Sequence, residues 1–242
     1  MRCVGIALCL CVLLIRLPLQ AAEPGKQQAE SAGTKPSIHF LLHLPKSYGA
    51  DKVKKWPVIV FLHGSGERGS DINLVKVHGP PKLVEKDPEF PFIVVSPQCP
   101  SGERWTPKIL SGMLDEVVAK YSADQTRIYL TGLSMGGSGT WDWAAAEPQR
   151  FAALVPICGR GDTRTADTIK HLPMWVFHGA KDSPASVVAA EEIVKAVEKA
   201  GGKPKFTVYP DAGHDSWTMT YNNPELYKWL LEQKRPPTET KK

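Results

Sequence analysis

The sequence predicts an α/β fold in which helices cover both faces of a mostly parallel sheet. Short apolar runs recur along the chain, and several are continuous rather than alternating, as is typical of strands that are buried on both faces. They occupy residues 38–44, 57–62, 92–96, 127–131, 152–157, 174–177 and 205–209. Segments between several of these runs carry apolar residues at helical spacing, so strands and helices alternate as a parallel sheet requires.

Three of these segments carry an apolar face, which predicts helices that pack onto the sheet. Asn223 is a candidate N-cap for the last of them, and Pro224 suits its first helical position. The three faces comprise Leu110, Leu114, Val117, Val118 and Tyr121; Val187, Val188, Val194 and Val197; and Leu226, Tyr227, Leu230 and Leu231. The segment between Cys158 and Met174 is too short for a separate lid, so an open site is expected.

Length and composition are those of one compact domain that follows a targeting segment. The chain has 242 residues, of which 42% are hydrophobic and 23% charged, enough to bury a sizeable core. Residues 1–22 are predicted to be a secretion signal, because Arg2 precedes an apolar run that ends in small residues. Residues 23–36 are predicted as a flexible leader, residues 37–234 as the folded domain and residues 235–242 as a polar tail. A secreted or periplasmic protein is expected, with an uncleaved N-terminal anchor as the alternative.

The charge pattern excludes some classes of partner. Once Arg2 and Arg16 leave with the signal, 28 basic residues face 25 acidic ones, a formal charge of +3. No basic stripe is interleaved with aromatic residues, so no nucleic-acid partner is expected.

The apolar run of the signal is shorter than the roughly 20 residues that a bilayer requires. No stable membrane span is therefore expected after cleavage.

Ser134 lies in a Gly-x-Ser-x-Gly pattern between a predicted strand and a predicted helix, a context that predicts a nucleophilic serine on a sharp turn. An acid and then a histidine should follow it in the chain, and each is found in the segment into which a predicted strand leads. Asp182 follows the run 174–177 and is predicted to orient the base, while His214 follows the run 205–209 and is predicted to be the general base. Because ligand sites of open α/β sheets lie beyond the carboxyl ends of the strands, the three side chains are expected to meet.

Backbone amides should stabilise the negative oxygen that forms when such a serine attacks a carbonyl group. Met135, directly after the nucleophile, is predicted to supply one amide. The glycine-rich turn 63–69 follows the run 57–62 and is predicted to supply the second, from Ser65 or else from Gly64. Trp105, Trp217 and Arg160 lie in loops on the same side and are candidate substrate contacts, although packing beneath a loop would equally explain Trp105 and Trp217.

Together these motifs resemble the secreted esterase branch of the α/β-hydrolases, a group of phospholipase/carboxylesterase, polyhydroxyalkanoate-depolymerase-like, feruloyl-esterase-like and prolyl-oligopeptidase-like serine hydrolases. The resemblance spans about residues 37–232 and is carried by HGSGERG at 63–69, PQCP at 97–100 with Trp105, GLSMGG at 132–137, PICG at 156–159, HGAKD at 178–182 and GHDSW at 213–217. It implies an eight-stranded sheet that lacks its first strand here. Ser134 stands where dienelactone hydrolases have a cysteine, which sets the chain apart from that narrower group, and Arg160 stands where relatives often have a small residue.

Only Cys99 and Cys158 remain once the signal is removed, so disulfides do not build the fold. In the strand order that the resemblance implies, the ends preceding them are about 14 Å apart, whereas a disulfide needs Cα atoms within about 7 Å. Two unpaired thiols are therefore predicted. No Cys/His cluster has zinc spacing, so neither a metal nor another cofactor is expected. The sequence leaves the oligomeric state open.

The resemblance implies a secreted serine carboxylic-ester hydrolase that works through an acyl-enzyme. Small or side-chain esters are the expected substrates, with acetyl, feruloyl or short acyl groups on small molecules or on polysaccharide. A serine peptidase or acylaminoacyl hydrolase is one alternative, because the same residues cleave amides. A non-catalytic binding module on a hydrolase fold is the other.

Overall fold

The computed structural model describes residues 22–33, 37–183 and 185–236. Its strands are β1 (Gln27–Ala32), β2 (Ile38–His43), β3 (Trp56–Leu62), β4 (Ile93–Pro97), β5 (Ala123–Leu133), β6 (Ala153–Ile157), β7 (Trp175–Gly179) and β8 (Lys205–Tyr209). They form one sheet in the order β1-β2-β4-β3-β5-β6-β7-β8. Strands β3 to β8 are all parallel to one another, whereas β2 is antiparallel to both β1 and β4. The predicted α/β architecture is therefore confirmed.

Helices cover both faces of the sheet, because consecutive residues of the inner strands point to opposite sides. Along β3, Val58 and Val60 belong to one apolar core and Ile59 and Phe61 to the other, which explains the continuous apolar run. The helices are α1 (Gly79–Leu83), α2 (Pro107–Lys120), α3 (Met135–Ala146), α4 (Ala166–Ile169), α5 (Val187–Lys199), α6 (Trp217–Tyr221) and α7 (Pro224–Glu232). The core of Val58 is completed by α2, α3, α4 and α5, and that of Ile59 by α6 and α7.

The prediction of a flexible leader at 23–36 is wrong for residues 27–32, which form β1. This strand pairs with β2 from Gln27 opposite His43 to Ala32 opposite Ile38. Five of its six residues are partly buried or exposed, so main-chain hydrogen bonds at the edge of the sheet hold it in place and no apolar pattern is needed. The sheet thus contains the first strand that the sequence interpretation omitted, and the fold begins before residue 37.

The predicted helices are present as α2, α5 and α7. The Asn223 side chain accepts a hydrogen bond from the Glu225 amide at 3.0 Å, as an N-cap does. Val188 does not belong to the buried face of α5, because 53% of it is exposed. Between β6 and β7 lie only a short 3₁₀ helix (Thr163–Thr165) and α4, so this position holds no large lid.

The predicted signal lies outside the described residues except for Ala22, and so do residues 237–242 of the predicted tail. The amide of Arg235 donates to the Thr126 carbonyl at 3.0 Å, so the first residue of that tail is bound to the domain. Within the described ranges, no helix is both long and apolar enough to cross a membrane. Cys99 and Cys158 are both buried and unpaired, which confirms the prediction of two free thiols.

Candidate active site

Ser134 lies on a sharp turn between β5 and α3, with φ 54° and ψ −113°. A positive φ is uncommon for a residue with a side chain and is retained only where the surroundings enforce it. Here they do so through glycines. A Cβ atom on Gly132 would lie 2.3 Å from the Gly136 carbonyl oxygen, and one on Gly136 would lie 1.9 Å from that of Leu62. These contacts hold the start of α3 against β3 and β5, and they place Ser134 beyond the carboxyl ends of the strands.

The structure brings Ser134, His214 and Asp182 together in one hydrogen-bonded series. His214 Nδ1 lies 2.8 Å from Asp182 Oδ2, and His214 Nε2 lies 2.9 Å from Ser134 Oγ. Because a carboxylate only accepts hydrogen bonds, Nδ1 carries the hydrogen and Nε2 is left to accept the one from Ser134. This is the geometry that a serine needs to lose its proton to a neighbouring base.

Asp182 is held at the end of β7 by groups of its own loop. Its Oδ1 accepts the Ala185 amide at 2.9 Å, while Oδ2 faces His214. His178 lies beneath the same carboxylate, with Nε2 3.1 Å from Oδ2 and 2.7 Å from the Ala185 carbonyl oxygen. The Asp182 side chain has no exposed surface, so these hydrogen bonds replace those that water would make.

The glycine-rich turn after β3 lies against Ser134, since a Cβ atom on Gly64 would be 3.6 Å from the Ser134 Cβ. His63 fixes the direction of the peptide group between Gly64 and Ser65. Its Nε2 accepts the Cys99 amide at 3.0 Å, so its Nδ1 carries the hydrogen and donates to the Gly64 carbonyl at 2.6 Å. Burial lowers the pKa of His63 to about 4, which keeps this neutral form.

Two amides are suitable for holding a negative oxygen near Ser134. In a trans peptide the C=O and N–H groups point in opposite directions, so the Ser65 amide is directed away from the His63 ring. Met135 is the first residue of α3, and its amide has no acceptor within the helix. The Gly64 amide is already used, because it donates to Glu67 Oε2 at 2.9 Å. Of the two predicted sources of the second amide, the geometry favours Ser65.

Trp217 is the predicted substrate contact that lies against this series. Its ring meets the ring of His214 edge to face, with centroids 5.4 Å apart at 89°. Its Nε1 donates to His78 Nδ1 at 3.3 Å, and His78 Nε2 lies 3.8 Å from Glu67 Oε1. Side chains therefore connect the loop of His214 to the turn of Gly64 and Ser65.

Trp105 and Arg160, the other predicted substrate contacts, are not part of the series. Trp105 is buried; its Nε1 donates to the His63 carbonyl at 3.1 Å, and it packs against Gly139 of α3. Trp105 therefore packs between the turn of His63 and α3, as the alternative to a substrate contact predicted. Trp105 also lines a cavity of about 560 Å³ that Ser134, Asp182 and His214 do not line. Arg160 is exposed, and its amide donates to Ser138 Oγ at 2.9 Å.

Comparison with known proteins decides the family. A model of the Dienelactone hydrolase family matches residues 102–225, just over half of the chain, and this range contains Ser134, Asp182 and His214. The chain belongs to the dienelactone hydrolase family. The expectation that Ser134 sets it apart from that group is therefore wrong: the family match does not depend on a cysteine at the nucleophile position.

Two relatives and one solved structure are similar to this chain over part of its length or most of it. The chain is 31% identical over 134 residues to a carboxymethylenebutenolidase-like protein of Salmonella typhimurium, an alignment that covers 45% of this chain and 49% of the relative. It is 26% identical over 111 residues to the bifunctional acetylxylan esterase/xylanase XynS20E of Neocallimastix patriciarum, covering 43% of this chain and 16% of that protein. The crystal structure of a thermostable esterase superposes with a TM-score of 0.75 and 33% identity, covering 88% of this chain and 64% of the other. This chain thus spans about half the length of the first of these relatives, and its fold is the α/β-hydrolase fold.

Of the two cysteines that the structure describes, Cys158 is the one close to the series. Among the described residues, Cys158, Asp182 and His214 form the one group whose ligand atoms, all within 4.8 Å of one another, could hold a metal ion. Both nitrogens of His214 are already hydrogen-bonded, so an ion there would break the series. Burial also raises the pKa of Cys158 to about 12, which opposes the thiolate that a metal requires.

His178, Glu67 and His78 are contacts of this site that the sequence interpretation missed. His178 and Glu67 lie inside the motifs used for the resemblance, so their presence was visible but their partners were not. His78 has no motif of its own. Its contact with Trp217 spans 139 positions in the chain, and only the packing of α1 against α6 brings the two together.

Proposed function

We propose that this protein is a serine ester hydrolase that forms an acyl-enzyme on Ser134. The observation that carries the proposal is the series in which His214 joins Ser134 and Asp182 at 2.9 Å and 2.8 Å. It lies next to two amides that no other group of the site occupies. Ser134 Oγ then has a base within reach, the base has an orienting carboxylate, and the oxyanion has donors.

Each step has a group to perform it. Ser134 Oγ attacks the ester carbonyl carbon while His214 Nε2 takes the hydroxyl proton, and Asp182 stabilises the charged imidazole that results. The amides of Met135 and Ser65 donate to the oxygen that becomes negative. When the carbon–oxygen bond to the alcohol breaks, His214 returns the proton to the departing alcohol. A water molecule then repeats the sequence on the acyl group, which releases the acid and restores Ser134.

Small or side-chain esters are the substrates we propose, with acetyl, feruloyl or short acyl groups. The short connection between β6 and β7 leaves that side of Ser134 without a large lid. Two of the compared proteins are named as esterases, one of them for acetylxylan. Secretion or transfer to the periplasm is a separate proposal, and it rests on the signal-like composition of residues 1–22.

The test is hydrolysis of p-nitrophenyl esters from acetate to palmitate, together with methyl ferulate and a peptide p-nitroanilide. Short or feruloyl esters should be cleaved, and the rate should fall by about 10⁴-fold or more in Ser134→Ala. Ser138→Ala is the matched control, because its hydroxyl lies one turn along α3 and accepts the Arg160 amide instead. Cleavage of the anilide alone would indicate a peptidase, and inactivity of folded wild-type protein towards every substrate would favour a binding module.

A further inference from the structure

His178 is a buried titratable group that the proposed reaction does not use. It lies in β7, four residues before Asp182, and none of its surface is exposed. Its Nε2 lies 2.7 Å from the Ala185 carbonyl oxygen and 3.1 Å from Asp182 Oδ2. A carbonyl oxygen can only accept a hydrogen bond, and so can the ionised carboxylate of Asp182, whose Oδ2 already accepts one from His214. His178 Nε2 must therefore carry a hydrogen.

The surroundings of the other ring nitrogen favour the neutral form of His178. His178 Nδ1 is buried and has no hydrogen-bond partner among the described residues. A charged imidazole would place an unpaired N–H there, which costs more than an unpaired acceptor on a neutral ring. The neutral form with hydrogen on Nε2 satisfies the nitrogen that faces the two oxygens.

We propose that His178 is a positioning residue for Asp182, the acid that orients the general base. The proposal rests on the proposed function. His178 Nε2 donates to the Ala185 carbonyl, and the Ala185 amide donates to Asp182 Oδ1. This sequence of contacts fixes one carboxylate oxygen and leaves the other, Oδ2, directed at His214. The fold thereby orients the acid through a buried residue of β7.

His178 also acts on the charge of Asp182, because its N–H dipole lies beside the oxygen that binds His214. Without that dipole, the carboxylate attracts the His214 proton more strongly, so the histidine becomes a usable base only at higher pH. The groups that face Asp182 are His178 from β7, His214 from the loop after β8 and Cys158 from the end of β6. Burial keeps Cys158 protonated, with its pKa raised to about 12. Asp215, the exposed neighbour of His214, adds negative charge to all variants alike.

The experiment compares His178→Asn with His178→Gln through the pH profile of kcat/KM on the best p-nitrophenyl ester. A glutamine amide can place an N–H where Nε2 lies, whereas the shorter asparagine cannot. We expect the acid limb of His178→Asn to move to higher pH by about half to one unit, with kcat reduced about tenfold and KM unchanged. His178→Gln should recover most of both.

His43→Asn is the matched control. His43 is equally buried in the same sheet, and its ring nitrogens have no partner among the described residues. The acid limb of the pH profile of His43→Asn should coincide with that of the wild type. An acid limb that is unchanged in folded His178→Asn, or one that moves equally in His43→Asn, would overturn the proposal. If the Ser134→Ala variant kept the esterase activity of the wild type, the proposed function would be overturned instead.

A second measurement needs no variant. ¹⁵N NMR of the histidine rings in the wild type should show that the neutral His178 ring carries its hydrogen on Nε2. Hydrogen on Nδ1 alone would contradict the contact with Asp182 and overturn the proposal, even if the asparagine variant failed to fold.

Discussion

The two halves of the site are held in place by different means. Ser134 is positioned by main-chain packing, since its turn has no space for a Cβ atom at Gly132, Gly136 or Gly137. Asp182 and His214 lie in loops after β7 and β8 and are positioned by side-chain hydrogen bonds. The side chain of His214 remains 27% exposed.

This difference indicates where folding and chemistry can be separated by mutation. A side chain added at one of these glycines must move strands that are buried on both faces, so it acts on the free energy of unfolding and on activity together. A change at the acid or the histidine removes a hydrogen bond from a loop and leaves the sheet intact. Three substitutions test this contrast.

Gly136→Ala is expected to have the largest effect. Its Cβ atom would lie 1.9 Å from the Leu62 carbonyl oxygen, in the backbone of β3, so α3 and β3 cannot keep their positions. We expect the free energy of unfolding to fall by about 3 kcal/mol or more, with loss of activity, as measured by urea denaturation. In Gly112→Ala, on α2, the added Cβ has no atom within 4 Å and should stabilise the protein by about 0.5–1 kcal/mol. A Gly136→Ala protein as stable as the wild type would refute main-chain packing as the constraint.

Asp182→Asn should separate the two properties. The amide can donate to His214 Nδ1, which would favour the ring form that cannot accept the Ser134 proton, so kcat should fall about 10⁴-fold. Urea denaturation should show a much smaller change than for Gly136→Ala. Asp215→Asn is the control, because this neighbouring carboxylate binds Thr218 instead. If both aspartate variants lost activity equally, local charge rather than orientation would explain the effect.

Ser65→Pro is expected to have the smallest effect of the three, because it removes a single amide hydrogen. Gly64 has φ −78° and ψ −176°, which a following proline allows, and Ser65 begins a 3₁₀ turn, where proline is tolerated. Turnover of p-nitrophenyl acetate should therefore fall by about 10²–10³-fold with little change in KM. Ser65→Ala keeps the amide and should retain activity. Full turnover in Ser65→Pro would assign the second oxyanion donor elsewhere.

The sequence predicted those features that depend on residue types at fixed spacing. The strands from β2 to β7 were visible because buried strands need apolar side chains, and β8 was visible as an apolar run although none of its residues is buried. Ser134, Asp182 and His214 were visible because each lies just beyond the end of a strand. β1 was missed, since an edge strand needs only main-chain partners. The contact between His178 and Asp182 was missed because it depends on how the loop after β7 folds back over that strand.

The proposed nucleophile is Ser134, activated by His214 and Asp182. Labelling with a fluorophosphonate, followed by peptide mass spectrometry, tests this role. We expect one adduct per chain, located on Ser134, with labelling much slower in Asp182→Asn and absent in Ser134→Ala. An adduct on another residue, or ester hydrolysis at the wild-type rate by Ser134→Ala, would show that Ser134 is not the nucleophile.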